Sequence, residues 1–283
     1  MGFARRTVVE GGIYHVMNRG ASRQAVFFAD ADRVEFGRLL QEIHERWSID
    51  VLAYCLMENH FHLLLRCPDG ELSRAMQHLS SVYTRHTNER IGRDGPLFRG
   101  RFRSLHVDTD RYLLAAVRYI HANALDLPGV RSVTDYRWSS HRTYLGKRRR
   151  PDFLDTAVVL RYFDGDRDRF DRFVRDADPH RTARLESGDL TFVQRIVELA
   201  IADSEELDGS RSAAQLSRTL SLLIADELPD PLGRRLVDEL DFANDASRRA
   251  ARSRARRRSR ELAEVATLLA NVRRQLGVSS AAA

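Results

Sequence analysis

An α+β fold with an antiparallel sheet, followed by an all-helical half, is what three observations in the sequence predict. Short apolar runs in the first 150 residues are interleaved with stretches at helical spacing, in the order β-α-β-β-α-β-α. Strand signals stop after residue 151. Between the halves stands Gly146-Lys-Arg-Arg-Arg-Pro151, whose glycine, basic run and proline set the expected boundary between domains 1–150 and 151–283.

Each element has its own signal. Ile13 to Met17 reads as a strand. Residues 31–47 place Phe36, Leu39, Leu40, Ile43 and Trp47 at helical spacing. Residues 50–57 and 60–66 are strand-like runs around Glu58-Asn59, a hairpin pattern. Residues 71–90 carry Leu72, Met76, Leu79 and Tyr83 on one helical stripe. Residues 97–107 alternate as a strand, and 110–124 return to helical spacing behind Asp108 or Thr109 as cap. Further on, 191–202, 211–228 and 231–240 read as helices separated by Asp-Gly and Pro-Asp-Pro, and 246–275 holds mostly good helix formers. The tail Ser279-Ser-Ala-Ala-Ala283 alone resembles disorder.

Composition narrows the function. Among 283 residues, 43% are hydrophobic and 30% charged, enough for a buried core. No run approaches the ~18 apolar residues of a membrane span, and MGFARRTVVE lacks a secretory stretch. Two cysteines, Cys55 and Cys67, make no disulfide framework, so reduced thiols in a cytoplasm are expected. The net charge of +6 divides into +8 for residues 1–150, −10 for 151–247 and +8 for 248–283. Lys147 is the only lysine. Arginine's planar fork suits phosphate, so two basic regions around an acidic one point to nucleic acid rather than a membrane or small-molecule substrate.

The most informative segment is Glu58-Asn-His-Phe-His-Leu-Leu-Leu65. In a strand His60 and His62 share one face, opposite Phe61, Leu63 and Leu65. Such a pair either shares a divalent cation on a solvent-open face or is simply two surface histidines. In Arg118-Tyr-Ile-His-Ala-Asn123, Tyr119 and Asn123 are four apart and share a helix face. A phenol of pKa near 10 is a weak nucleophile, and it becomes useful beside a cation that polarises a phosphate. Asn123 could add an oxygen ligand there. Arg99, Arg101 and Arg103 share one face of the expected strand, with Phe98 and Phe102 on the other, which suits a phosphate backbone.

Five motifs occur in one order: Tyr14-His-Val-Met-Asn-Arg-Gly20, His60-Phe-His62, Leu97-Phe-Arg-Gly-Arg-Phe-Arg103, Tyr119-Ile-His-Ala-Asn123 and Tyr136-Arg-Trp-Ser-Ser140. Together they make residues 8–146 resemble the REP-associated tyrosine transposases, relatives of the single-tyrosine HUH insertion-sequence transposases. The resemblance implies a ferredoxin-like fold, a bound Mg2+ or Mn2+, and cleavage and rejoining of single-stranded DNA beside hairpins through a 5′-phosphotyrosine link. It makes His60 and His62 the HUH pair, Tyr119 the nucleophile, Asn123 a third ligand, and Asn18 and Arg19 base readers. The departure is Ala124-Leu125, where relatives commonly carry Asn-Pro-Val. The rival reading is a DNA-binding regulator of palindromic repeats that no longer cleaves.

Residues 211–275 resemble the helix-turn-helix domain of bacterial replication initiators, with 246–260 as recognition helix. Eight arginines lie between Arg248 and Arg260, with no acidic residue among them. Arg254, Arg256, Arg257 and Arg258 are therefore expected to contact DNA, while the acidic run at 203–208 keeps DNA from that edge. A bacterial cytoplasm, at the nucleoid, is the expected location.

Overall fold

The computed structural model describes residues 9–175, 190–202, 210–228, 230–261 and 263–276. The acidic run 203–208 and the Ser279–Ala283 tail lie outside them. The chain divides into two compact units, 1–175 and 176–283.

The first unit runs β1 (Gly12–Arg19), α1 (Asp30–Trp47), β2 (Asp50–Leu56), β3 (His60–Cys67), α2 (Leu72–Ile91) and β4 (Arg103–Val107). The strands form one antiparallel sheet in the order β2-β3-β1-β4, the ferredoxin-like arrangement expected. Phe36, Leu39, Leu40 and Ile43 of α1 and Leu72, Met76, Leu79 and Tyr83 of α2 are buried against one sheet face, joined by Phe61, Leu63 and Leu65 of β3. Asp32 locks this layer. Its carboxylate accepts from the Phe28 and Ala29 amides at 2.7 and 2.8 Å and pairs with Arg90 of α2 at 2.8 Å.

The other sheet face is covered by α3 (Asp110–Ala122), which contacts β2 and β3. Thr109 caps α3, its hydroxyl accepting from the Tyr112 amide at 3.2 Å. Buried residues fill α3 from Tyr112 onward, apart from Leu114. An all-round apolar helix of this kind needs partners on two sides. The sheet supplies one, and α6 the other, after the short helices α4 (His141–Tyr144) and α5 (Ala157–Leu160) and before the unit ends at Arg175 (α6, Arg167–Arg175).

Two expectations are corrected. The unit boundary lies at 175/176, not 150/151. Pro151 opens a turn that returns the chain to the sheet: Val51 N–H donates to Phe153 O, and Asp155 N–H to Val51 O, both at 2.9 Å. Phe170 and Val174 of α6 are also buried. The expected strand 97–107 shortens to 103–107, because residues 97–102 form a loop pinned by a Gly20–Phe98 bridge. Gly20 is needed there, since a Cβ would collide with the Gln24 carbonyl.

The second unit contains α7 (Leu190–Ala202), α8 (Ser210–Ala225), α9 (Leu232–Asp238), α10 (Asp245–Glu261) and α11 (Ala263–Leu276). Helix α8 touches the other four and buries Leu216, Leu220, Leu222 and Ile224. These bounds match the expected helices closely, with 246–275 comprising α10 and α11.

Candidate active site

Strand β3 places His60 and His62 on the face away from the α1/α2 core, as alternation requires. That face is not open to solvent. Helix α3 lies over it, leaving His62 fully buried and His60 7% exposed. The two imidazoles stand 5.1 Å apart between ring centres. The Tyr119 ring sits edge-on to His62 at 5.5 Å and is 3% exposed. The structure therefore brings the histidine pair and Tyr119 together.

A third histidine, which sequence reasoning passed over, completes the cluster. His15 of β1 is fully buried, with Nε2 3.0 Å from Nδ1 of His62 and its ring 5.9 Å from that of Tyr119. Its signal was parity. Tyr14 and Val16 face the core, so His15 must face the opposite side with Met17, whose strand partner is His62. Asn59 Oδ1 lies 2.6 Å from His60 Nδ1. Each β3 imidazole thus has its Nδ1 engaged, by Asn59 or by His15, and its Nε2 buried. Two Nε2 donors from one strand face fit a shared divalent cation. Among the described residues no three His, Cys, Asp or Glu side chains form a metal cluster, so further ligands would have to be Asn123, substrate phosphate or water. Asn123 is buried in the 3-10 turn Asn123–Asp126 that continues α3.

The opposite side of α3 is chemically separate. His121 Nε2 lies 2.7 Å from the Ser140 hydroxyl, which accepts from the Tyr54 amide at 2.9 Å. His141 Nε2 lies 2.8 Å from Asp171. Burial pushes His121 well below the ordinary histidine value, helped by His141; it also lowers His141, against the raising effect of Asp171. Burial brings Arg118 down to about 10, where its guanidinium lies 3.9 Å from the Phe173 ring centre. Tyr136 donates to Leu56 O at 2.6 Å and Trp138 Nε1 to Asp30 at 3.0 Å, so the Tyr136–Ser140 motif fastens the edge of β2.

Arg99, Arg101 and Arg103 are exposed, while Phe98 and Phe102 are buried, so the expected segregation holds, with Arg99 and Arg101 in the loop and Arg103 opening β4. Arg103 titrates below the usual guanidinium range through burial and the nearby charges of Arg99 and Arg19. These three therefore form one positive patch. Asn18 is turned inward, donating to Gly100 O at 3.2 Å and accepting from the Arg19 amide at 2.9 Å. In the second unit Arg254, Arg256 and Arg257 are exposed and Arg258 is half-buried.

The chain is similar to known proteins over part of its length. Over 150 residues the chain is 25% identical to a curated Haemophilus influenzae protein named as a REP-associated tyrosine transposase, covering 49% of this chain and 85% of that one. A solved structure of a REP-associated tyrosine transposase bound to a REP hairpin aligns at 15% identity with a TM-score of 0.45, over 56% of this chain and 94% of that chain. Residues 8–123 of this chain match the family model of the IS200-like transposases.

Proposed function

We propose that the chain is a metal-dependent transposase that cleaves and rejoins single-stranded DNA beside hairpins through a 5′-phosphotyrosine intermediate. The observation that carries this reading is the placement of Tyr119 edge-on against His62 at 5.5 Å, on the face that His60 shares. His60 and His62 would hold Mg2+ or Mn2+ through Nε2, with the Asn123 carboxamide as third ligand. When bound, the cation draws charge from the scissile phosphate and offsets charge on the leaving oxygen.

The protein's own residues do the rest. Tyr119 Oη forms a bond to phosphorus and gives up its proton. The P–O3′ bond breaks, and the 3′ oxygen leaves as a hydroxyl. Rejoining is the reverse attack by a 3′-hydroxyl, so the phosphotyrosine bond stores the energy and no nucleotide cofactor is consumed. His15 fixes the ring of His62 and so the direction of its Nε2. The patch of Arg19, Arg99 and Arg103, with Arg101 beside it in sequence, holds strand phosphates, and the arginines of α10 supply a second contact region in a helix-turn-helix-like unit.

The test is a 3′-labelled library of single-stranded hairpins incubated with the full chain and Mn2+. The downstream fragment should stay attached to protein through denaturing electrophoresis, and Tyr119→Phe should abolish that adduct. An adduct that survives the substitution overturns the assignment. The 3% exposure of Tyr119 favours a second reading, a DNA-binding regulator that does not cleave. Hairpin binding without any adduct would establish it.

A further inference from the structure

We propose that the cavity between α8 and α10 is a nucleotide pocket that takes one phosphate and its base from a single DNA strand. The proposal rests on the DNA reading above and adds a site to the second unit. The arginines of α10 are not equivalent. Arg252 and Arg256 both reach Asp226, at 3.0 and 2.9 Å, and Arg248 reaches Asp238 at 3.4 Å. Those three side chains are turned toward carboxylates of the protein itself. Arg254 and Arg258 start two residues further on, about 200° around the helix, and so point elsewhere.

Where they point is a cavity of about 410 Å³, which they line together with Arg218 of α8 and Asp241 and Phe242 of the loop before α10. Three guanidiniums against one carboxylate leave an excess of positive charge in one hollow. Like charges gathered this way repel unless an anion joins them, and the guanidinium fork matches phosphate. The remaining wall is mixed: Gln215, Thr219 and Ser247 contribute neutral polar groups, Leu222 and Ala251 contribute apolar surface, and the Phe242 ring has the Arg218 guanidinium 4.3 Å from its centre. A guanidinium beside an aromatic ring is a platform on which a base can stack. A metabolite carboxylate would use the arginines but not the ring. A duplex would present its phosphates but keep its bases paired. A single-stranded nucleotide uses both.

The test is fluorescence anisotropy of a labelled dT20 strand with the full chain at several salt concentrations. Arg254→Gln with Arg258→Gln should weaken binding and reduce the log–log salt slope by about 0.7, the value for one phosphate left unneutralised on a single strand. Restoring charge with lysine at both positions should recover the slope. Phe242→Ala should weaken binding at least about fivefold while leaving the slope unchanged. An unchanged slope in the Arg254/Arg258 variant, or unchanged affinity in Phe242→Ala, overturns the pocket. A native protein that binds neither dT20 nor hairpin DNA overturns the DNA reading itself.

Discussion

Replacing His15 tests whether the buried imidazole contact organises the site. Both partners are fully buried and their nitrogens are 3.0 Å apart. His15→Leu keeps apolar volume but removes the partner of His62 Nδ1. A buried polar atom stripped of its partner costs about 1–3 kcal/mol, which chemical denaturation of the metal-free protein should register. Loss of a residue that orients a metal-binding histidine costs about 10–100-fold in metal affinity. Calorimetry with Mn2+ should therefore show a Kd raised by that factor in His15→Leu and largely recovered in His15→Gln, whose carboxamide can still bond to the ring. A generic packing defect would lower stability without this recovery. Equal Mn2+ affinity in the native and His15→Leu proteins would refute the argument, and no Mn2+ binding by the native protein would refute the metal assignment.

Three further outcomes are expected. Tyr119→Phe should eliminate the covalent adduct and change the Kd for hairpin DNA less than about twofold, because only a hydroxyl is removed. Acid should destabilise the first unit through His121 and His141. Their folded values are lowered by burial, so the stabilising contribution is complete above the unfolded value near 6.5 and is lost as pH falls below it. The slope is up to about 1.4 kcal/mol per pH unit for each histidine, urea midpoints at pH 7.5 and 5.5 should show the loss, and His121→Gln should flatten it. Arg118 has no carboxylate partner among the described residues. Arg118→Met should be neutral or stabilising in denaturant titrations because it removes a buried charge, and a loss above about 2 kcal/mol would contradict that.

Periodicity made most of the first unit legible. The stripes of α1 and α2 and the hairpin of β2 and β3 are local patterns, and each element stands where its spacing put it. His60, His62 and Tyr119 were legible as residues because two short motifs carried them. Their shared burial was not, since it depends on where α3 lies, and nothing within residues 58–65 specifies that. His15 was hidden for a related reason: its neighbour His62 is determined by the β1–β3 register, a long-range choice. Residues 97–102 imitate a strand because Arg–Phe alternation can be produced by a loop tied down at Gly20 and Gly100. The basic run before Pro151 imitated a linker. A turn on the surface of one unit uses the same glycine and proline chemistry as a boundary between two.

The return of the chain to β2 at Val51 has a consequence in time. The β2–β3 hairpin is complete once Cys67 has been synthesised, yet the outer edge of β2 is covered late: its Tyr54–Leu56 end by Trp138–Ser140, and its Val51 end only when Asp155 arrives, about 90 residues after Cys67. At ~5–20 residues per second on the ribosome, the Val51 end of that edge stays unpaired for about 5 to 18 seconds. An apolar strand with open amides and carbonyls is a template for other chains throughout that interval. Asp50 and Arg66 sit at the rim of the hairpin, paired at 2.6 Å, and place charge beside the run before its permanent cover exists. The ion pair that later reaches Asp155 at 3.0 Å thus guards the nascent chain first and fastens the finished one afterwards.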